Sequence, residues 1–482
     1  MATYGSFPGV RVTTEAGGIS SIAIGEEEKL VVFGEANYVL DTSGTEDELV
    51  VEGDQSTLDV SANEPEQIGA LRQADAKFGS DSELAEGMKE ALANGANIDF
   101  LYGVAVGRDF VEDEAQTSST GTLNNFPIVE DTGASVEAST NEIGDMGVDV
   151  KDSSTTPVEA DVEFRYNGSL TQPTEDSEKV YINPLTGAFA ADPNLTGDLN
   201  FSYTYNDYST AFSSEPVTTI VNEDETGVFV ALSDSDFVSS ELQTQVSELR
   251  SNYQLVNAIS VAEPNSNELL TDSADARYDS TNYSSANQSV TAEYYYKFAP
   301  GREENVAKTI AGGVGGLFAG NPISDPIYND SLTGYQSLEQ QFSKSDADNM
   351  RAEDIIPVRS GGTLRVQGNR STAYSEADTV AADFWTRRIT DRVILIGKRV
   401  GDEIIGRIND EDTRSQAQRI ISAEMRGLVQ DRLIRSNTDS ETNWNVDVYE
   451  DSTNDDEVKI DIAFSPYGIV KRVDETITVN TN

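Results

Sequence analysis

Two short segments carry residue types that could bind an ion or a phosphate group. Asp192, Asn194, Thr196 and Gly197 match the first half of a calcium-binding loop, in which oxygen atoms at alternate positions coordinate the ion. Such a loop also needs a carboxylate at its twelfth position, and Tyr203 stands there. We therefore favour an ordinary β-turn for this segment.

The second segment is rich in glycine and runs from Ala311 to Gly316. It could be a phosphate-binding loop, but it lacks the lysine and serine of a P-loop and the third glycine of a dinucleotide-binding fingerprint. A helix start that packs closely against a neighbouring element is the interpretation that we favour.

The chain contains no histidine and no cysteine, two residue types that are common in catalytic sites. The usual general base, the commonest metal ligand, the Ser-His-Asp triad, disulfides and thiolate sites are therefore excluded. Carboxylate pairs are too frequent among 85 acidic residues to indicate a glycosidase. The sequence predicts no catalytic residue, no cofactor and no bound metal.

The net charge of the chain distinguishes among three classes of protein: nucleic-acid-binding, disordered and halophilic. The 482 residues include 85 acidic and 33 basic side chains, which gives a formal net charge of −52. A nucleic-acid-binding protein needs the opposite sign, and an acidic disordered chain would lack the apolar periodicity described below. At about 1 M salt the Debye length is about 3 Å, so repulsion between surface carboxylates is screened. The composition therefore favours a halophilic protein.

Membrane insertion and secretion are not indicated. No stretch approaches the roughly 20 apolar residues of a membrane span. The first nine residues lack the basic and apolar regions of a secretion signal. We expect a soluble protein that is made in the cytoplasm.

Buried strands and amphipathic helices alternate in two parts of the chain. Ser80 and Glu83 have the spacing of a capping box, and a helix is predicted from there to Gly95. A further helix is predicted around 242–249. Apolar runs predict strands at 30–34, 100–106, 228–232, 255–261 and 290–298. This rhythm indicates an α/β domain.

Two other regions have different patterns. Residues from about 118 to 212 are rich in small polar residues with short alternating runs, which predicts an inserted all-β domain. After about 345, two helices and two strands near 445–449 and 458–464 are predicted. The helices follow from two apolar stripes, Ala381, Trp385, Ile389, Val393, Ile396 and Val400, then Ala417, Ile421, Met425 and Leu428.

These patterns predict an α+β multidomain protein with extended strand arms at both ends. The predicted boundaries are an N-terminal arm at 1–25, a discontinuous central α/β domain at 26–117 and 213–344, an inserted all-β domain at 118–212, a C-terminal α+β domain at 345–470, and a C-terminal arm at 471–482.

The terminal arms alternate like strands that have no sheet in their own domain. Val10 and Val12 alternate with polar residues in one arm, and Ile477 and Val479 do so in the other. Frayed termini would not need this alternation. Unpaired strands readily add to another chain's sheet, and head-to-tail contacts of this kind can propagate as an open helix. The arms therefore predict intersubunit strand exchange.

The segment after residue 350 differs in charge from the rest. It holds 18 of the 33 basic residues, 15 of them Arg, and is nearly neutral. Arg is the preferred cation of protein interfaces. Four arginines lie on its first predicted helix, and they either pair with helix neighbours such as Asp383 and Asp391 or form a positive strip that faces an acidic partner. They are Arg387, Arg388, Arg392 and Arg399.

Three segments resemble motifs of the tail sheath proteins of contractile phages and related injection systems. Residues 7–12 read FPGVRV and resemble that family's SPGVYV motif. Residues 355–370 resemble its NPIR and GIRVWGART segment, although Gln367 stands where many members carry a tryptophan. The ending from Ser465 to Lys471 is similar as well.

The resemblance implies a structural subunit of a contractile sheath, here of haloarchaeal type, that polymerises helically around a tail tube and drives it into a target cell. The C-terminal domain would lie inward against the tube, and the inserted β domain would lie outside. Implied partners are other copies of the chain, the tube protein, and baseplate and tail terminator proteins, without nucleic acid. The implied location is a virion tail assembled in the host cytoplasm, such as that of an archaeal virus, or a cytoplasmic injection-system particle.

Two other classes of protein stay open from the sequence. A non-contractile surface or S-layer-type protein could share the acidity and the β domain, but would need a secretion signal. An extracellular hydrolase of a halophile would be active as a monomer and would form no polymers.

Overall fold

The structure is a computed structural model, and it describes residues 28–41, 48–51, 60–79, 82–129, 148–152, 160–165, 170–174, 177–195, 198–222, 225–261, 288–291, 296–298, 309–338, 347–348, 350–351, 355–360, 363–368, 371, 383–438 and 441–467. These residues form two compact units. The sheet unit lies within 27–320 and 329–384, and the helix-pair unit within 321–328 and 385–482. From residue 28 onward, the chain therefore passes between the units three times.

The elements are numbered in chain order. The strands are β1 (Lys29–Gly34), β2 (Tyr38–Asp41), β3 (Glu48–Val51), β4 (Pro65–Gln67), β5 (Leu101–Ala105), β6 (Arg108–Gln116), β7 (Thr120–Thr122), β8 (Val148–Asp152), β9 (Asp161–Phe164), β10 (Lys179–Ile182), β11 (Ala188–Ala191), β12 (Leu199–Asn206), β13 (Thr226–Ala231), β14 (Leu255–Val261), β15 (Gln288–Thr291), β16 (Tyr296–Phe298), β17 (Tyr335–Leu338), β18 (Ile355–Ile356), β19 (Val358–Ser360), β20 (Leu364–Val366), β21 (Trp444–Asp451) and β22 (Asn454–Phe464). The helices are α1 (Leu71–Phe78), α2 (Glu83–Ala93), α3 (Tyr208–Ser213), α4 (Glu215–Thr218), α5 (Asp236–Ser251), α6 (Ala311–Gly320), α7 (Phe384–Ile404) and α8 (Glu411–Gln430).

The sheet unit is built on a seven-stranded sheet with the order β18-β15-β14-β13-β1-β5-β4. All neighbours are parallel except β4 and β5. The predicted strands at 30–34, 100–106, 228–232 and 255–261 are β1, β5, β13 and β14. Because successive side chains point to opposite faces, Val31 and Phe33 pack with α3 and α5, whereas Leu30 lies beside α6. Helices thus cover both faces.

The single strand predicted at 290–298 is wrong. Its ends are two strands in different sheets: β15 joins the main sheet, and β16 pairs with β17. The apolar run shows that both pieces are extended, but it does not show that their pairing partners differ.

The start of α2 also differs from the prediction. Ser82, rather than Ser80, is the N-cap, and its Oγ accepts the backbone N–H of Ala85 at 3.2 Å. One oxygen of the Glu83 carboxylate is directed at the main sheet. It accepts the backbone N–H of Glu35, just after β1, at 3.0 Å and so ties the helix to the sheet.

The glycine-rich segment is α6, and it packs backbone to backbone against α2. A Cβ atom added at Gly312 would lie 2.5 Å from the carbonyl oxygen of Gly87, and one added at Gly316 would lie 2.2 Å from that of Ala91. Residues four apart lie on one helix face, so small residues on both helices allow this close approach. The structure therefore shows close helix packing, not a phosphate-binding loop.

The inserted region contains two small sheets, with the orders β7-β11-β10-β9 and β6-β12-β8. They share a core in which the rings of Phe189 and Phe201 lie 4.7 Å apart. Two of the short alternating runs of this region, at 158–164 and 199–205, contain most of β9 and β12.

The helix-pair unit consists of α7, α8 and the hairpin β21–β22, which follow the predicted order. The apolar stripes from Trp385 to Val400 and from Ala417 to Leu428 face each other and the hairpin in one core. Ala381 lies outside the described residues. The segment 321–328 is attached to α7, because the indole N–H of Trp385 donates to the carbonyl of Ile323 at 2.7 Å.

Candidate assembly interface

The residues predicted to exchange between subunits, Val10, Val12, Ile477 and Val479, lie outside the described residues. Their role as intersubunit arms stays a prediction. The residues that the structure does describe show what such arms could meet.

The hairpin β21–β22 is a two-stranded antiparallel sheet within the described residues. One side of it packs on α7 and α8 through Val446, Ile462 and Phe464. Two-stranded hairpins alone are marginally stable, and each strand has one edge that no described strand pairs with. The hairpin could therefore accept further strands at both edges.

The turn of this hairpin is fixed by a carboxylate. Asp451 accepts the backbone N–H of Thr453 at 2.6 Å and forms an ion pair with Lys459. The Lys459 ammonium, followed by the Thr453 hydrogen bonds, holds the pKa of the Asp451 carboxyl well below its usual range. The turn is therefore stabilised by the charged form of Asp451.

The four arginines predicted on the first late helix do not share one surface. Arg387 pairs with Asp391, Nε to Oδ1 3.2 Å, which is the i,i+4 alternative. Arg388 is only 2% exposed and donates to the carbonyl of Asn321 at 3.0 Å. Arg392 is half-buried, and Arg399 is exposed. Their tube-facing role stays a prediction, and the exposed position among them is Arg399.

Other exposed arginines lie on α8 and just beyond it. Arg419 and Arg426 are exposed on the helix face opposite the buried residues Ile421 and Met425. Arg432 and Arg435 follow the helix and are exposed too. These four form the arginine face. The sequence prediction placed the interface arginines on the preceding helix and did not include these, although the i,i+7 spacing of Arg419 and Arg426 indicates a shared helix face.

The turn between α7 and α8 carries an apolar tip, formed by Ile405 and Ile408. They are 42% and 78% exposed. This tip was not among the predicted interface residues either. Its signal was a pair of isoleucines beyond the last apolar position of the first stripe.

Ion or substrate chemistry finds no support in the described part of the chain. Asp192 accepts backbone N–H bonds from Asn194, Ser177 and Glu178, and the Asn194 bond contributes most to lowering the pKa of its carboxyl. Its oxygens therefore stabilise a turn. Among the described residues, no group of three or more potential ligands could hold a metal ion, and no helix is long and apolar enough to cross a membrane.

Comparison with solved structures relates this architecture to known assemblies. The chain is similar to the anti-feeding prophage (AFP) helical sheath in its contracted state, with TM-score 0.55 and 12% identity over 99% of this chain and 100% of that chain. This chain has the fold of a contractile sheath protein. The sheath fold recurs in the PVC sheath complex of an extracellular contractile injection system, also contracted, with TM-score 0.56 and 11% identity over 99% of both chains.

A third similar structure is a chain in the AFP baseplate, with TM-score 0.54 and 11% identity over 99% of this chain and 100% of that one. No protein-family model matches the sequence, and no curated protein matches it. At 11–12% identity the sheath fold is preserved while most side chains differ.

Within the sheath fold, the segment that carries the central motif closes one edge of the main sheet. Ile355 and Ile356 pair with β15, and the next residues form the small hairpin β19–β20. Gln367, at the position of the family's tryptophan, donates its backbone N–H to the carbonyl of Pro357 at 2.7 Å. Its side-chain amide donates to Asn329 Oδ1 at 3.2 Å. Two hydrogen bonds thus hold this position without an indole ring.

Proposed function

We propose that this chain is the structural subunit of a contractile tail sheath, which polymerises helically around a tail tube and contracts to drive the tube into a target cell. The supporting observation is a backbone match that spans 99% of this chain and the whole of the AFP sheath chain. The same match favours a sheath over an S-layer-type protein.

The layout proposed for the assembled sheath follows the predicted domains. The C-terminal domain at 345–470 lies inward against the tube, the central α/β domain at 26–117 and 213–344 lies further out, and the all-β domain at 118–212 decorates the exterior. The charge distribution supports this layout, since the nearly neutral segment after residue 350 is the one proposed to be buried by other proteins.

The arms at 1–25 and 471–482 link neighbouring subunits in this proposal. The hairpin β21–β22 is the sheet that accepts them, because it offers an edge on each side. Backbone hydrogen bonds of an added strand do not depend on side chains. The links can therefore persist while the side-chain interfaces between subunits exchange.

Contraction in this proposal is a mechanical change between two states. The sheath assembles in an extended, metastable form, and a trigger at the baseplate releases it. New subunit contacts in the contracted form supply the free energy. The chain makes and breaks no covalent bond and needs no cofactor.

The proposed partners are further copies of this chain, a tube protein, and baseplate and tail terminator proteins. The proposed surroundings are a virion tail or a cytoplasmic injection-system particle of a haloarchaeal host. The high-salt part of this proposal rests on the net charge of −52, which is tolerated best where salt screens repulsion.

Electron microscopy of the purified chain tests the function directly. We expect striated hollow cylinders in molar salt. A flat lattice would support the S-layer alternative, and single particles with hydrolytic activity would support an enzyme.

Removal of residues 1–14 tests the strand mesh. We expect folded monomers, with unchanged circular dichroism, that form no long cylinders. Val12→Pro should act in the same way because proline cannot donate a backbone hydrogen bond, whereas Val12→Ala keeps the donor and serves as the control. Cylinders of normal length from the deletion would refute the mesh.

A further inference from the structure

The apolar tip is unusual for the surface on which it lies. Ile408 is 78% exposed, the most exposed of the large apolar side chains in the described part of the chain. Gly406, with φ of +82°, turns the backbone between the two isoleucines. Large apolar side chains paired on one protruding turn are typical of a contact with another protein.

Five carboxylates flank the tip along the chain. The last turn of α7 contributes Asp402 and Glu403, and the start of α8 contributes Asp410, Glu411 and Asp412, all of them exposed. Arg407 is the exposed cation between them. Asp402 pairs with Lys398 at 3.4 Å, and the other four carboxylates give the apolar tip a negative rim.

The arginine face has the opposite charge, and two of its four arginines lie on α8 itself. The exposed face of α8 passes from Asp412 through Gln416 to Arg419, Ala423 and Arg426. Ion pairs of this unit join other cations, among them Arg387, Lys398, Arg414 and Lys459, and no described carboxylate pairs with the arginine face. The arginine face is thus available to an external anion, and Ala423 leaves space between its two helical arginines.

The tip and the arginine face of one copy cannot meet each other. Asp412 and Arg426 are 14 positions apart on one continuous helix, so their Cα atoms are separated by about 21 Å at 1.5 Å per residue. Contact between the two surfaces therefore requires two molecules.

We infer that the apolar tip of one subunit docks on the arginine face of a neighbouring subunit. The carboxylate rim complements the arginines, and the isoleucines are removed from water beside Ala423. The contact is heterologous, because it joins two different surfaces, and it leaves one tip and one face free at the ends of every chain of subunits. Although the net charge of the protein is −52, each copy carries both a negative rim and a positive face. A second copy can therefore complement either surface. This inference rests on the proposed function, because it requires that the chain polymerises.

Site-directed disulfide formation tests the contact, because the chain contains no cysteine of its own. Ile408→Cys and Arg426→Cys are prepared separately, mixed, assembled in molar salt and oxidised. We expect a covalent heterodimer in the mixture and none from either variant alone. Leu71→Cys, another exposed apolar position at 52%, mixed with Arg426→Cys is the matched control and should give severalfold less dimer.

A second measurement uses the tip alone. Maleimide should label Ile408→Cys severalfold more slowly in polymers than in monomers. The control, Leu71→Cys, should be labelled at the same rate in both. In addition, Ile408→Asp should reduce the polymer yield severalfold, and Leu71→Asp should not.

The outcomes separate this inference from the proposed function. Polymers that form without the heterodimer and without protection of position 408 would overturn the docking contact and leave the sheath proposal intact. A tip that is protected only when a separate tube protein is added would likewise overturn docking between copies. A chain that stays monomeric under all conditions would overturn both.

Discussion

Substitution of Gly316 by alanine should destabilise the sheet unit, although alanine is the better helix former. The change gains about 1 kcal/mol of helix propensity. The added Cβ would lie 2.2 Å from the carbonyl oxygen of Ala91, 2.8 Å from its Cα and 2.9 Å from its carbonyl carbon. All three atoms belong to the α2 backbone, so no side-chain rotation can relieve the contact, and the two helices must separate by about 1 Å to restore ordinary van der Waals distances.

Overpacking by one methyl group costs about 1–3 kcal/mol where neighbours can adjust. A backbone neighbour cannot rotate away, so the cost should be at or above the upper end. After the gain in helix propensity of about 1 kcal/mol, the free energy of unfolding should fall by about 2 kcal/mol. With a urea dependence of about 3 kcal/mol per M, the midpoint of unfolding should fall by about 0.7 M.

Far-UV circular dichroism in molar salt measures this midpoint for the whole chain. Gly427→Ala is the control, because Gly427 lies within α8 and a Cβ there would have no neighbour within 4 Å. That variant should be slightly stabilised, by about 1 kcal/mol or less. The chain's two tryptophans, Trp385 and Trp444, lie in the same unit as Gly427, so their fluorescence measures the unfolding of that unit. An unchanged or raised midpoint for Gly316→Ala would show that the two backbones are not in contact.

Three further predictions concern the helix-pair unit and the charge. The lowered pKa of Asp451 means that its contribution to stability is fully present above its ordinary unfolded value of 3.8 and is lost as the pH falls below it. Between about pH 5 and pH 3, the urea midpoint measured by tryptophan fluorescence should therefore fall less for Asp451→Asn than for the original chain. An equal fall in both proteins would contradict this role of the carboxylate. Asp410 is the N-cap of α8 and accepts the backbone N–H of Thr413 at 2.8 Å, so Asp410→Ala should cost about 1 kcal/mol, and Asp410→Ser should restore most of it. Dialysis from molar salt to dilute buffer should reduce the circular dichroism signal or dissolve the polymers, because the Debye length increases from about 3 Å to tens of Å, whereas full stability in dilute buffer would remove the high-salt proposal.

The elements that the sequence predicted well are those whose burial is uniform along a short run. Strands β1, β5, β13 and β14 are mostly apolar and almost entirely buried because helices cover both faces of their parallel sheet. The stripes from Trp385 to Val400 and from Ala417 to Leu428 have an unambiguous helical period. In each case the local pattern contains the information that fixes the element.

The features that the sequence did not predict depend on contacts between distant residues. Arg388 is buried by the segment 321–328, which is more than sixty positions away, so the periodicity of α7 alone reveals only its other buried face. The cap at Ser82 competes with Ser80 within two residues, and pattern alone cannot rank them. The order of strands in the main sheet, with β1 between β13 and β5, likewise depends on crossovers that no local run encodes.

The three passages of the chain between the sheet unit and the helix-pair unit have a consequence for the transmission of force. If the helix-pair unit were pulled away from the sheet unit, the part of the chain from residue 28 onward would carry the load on three covalent connections, at 320–321, 328–329 and 384–385. If one connection after residue 371 were cut, the two fragments would still be held by the bonds of Trp385 and Arg388 to the segment 321–328. A single break in one of these connections would therefore leave the two units joined and still able to carry the load.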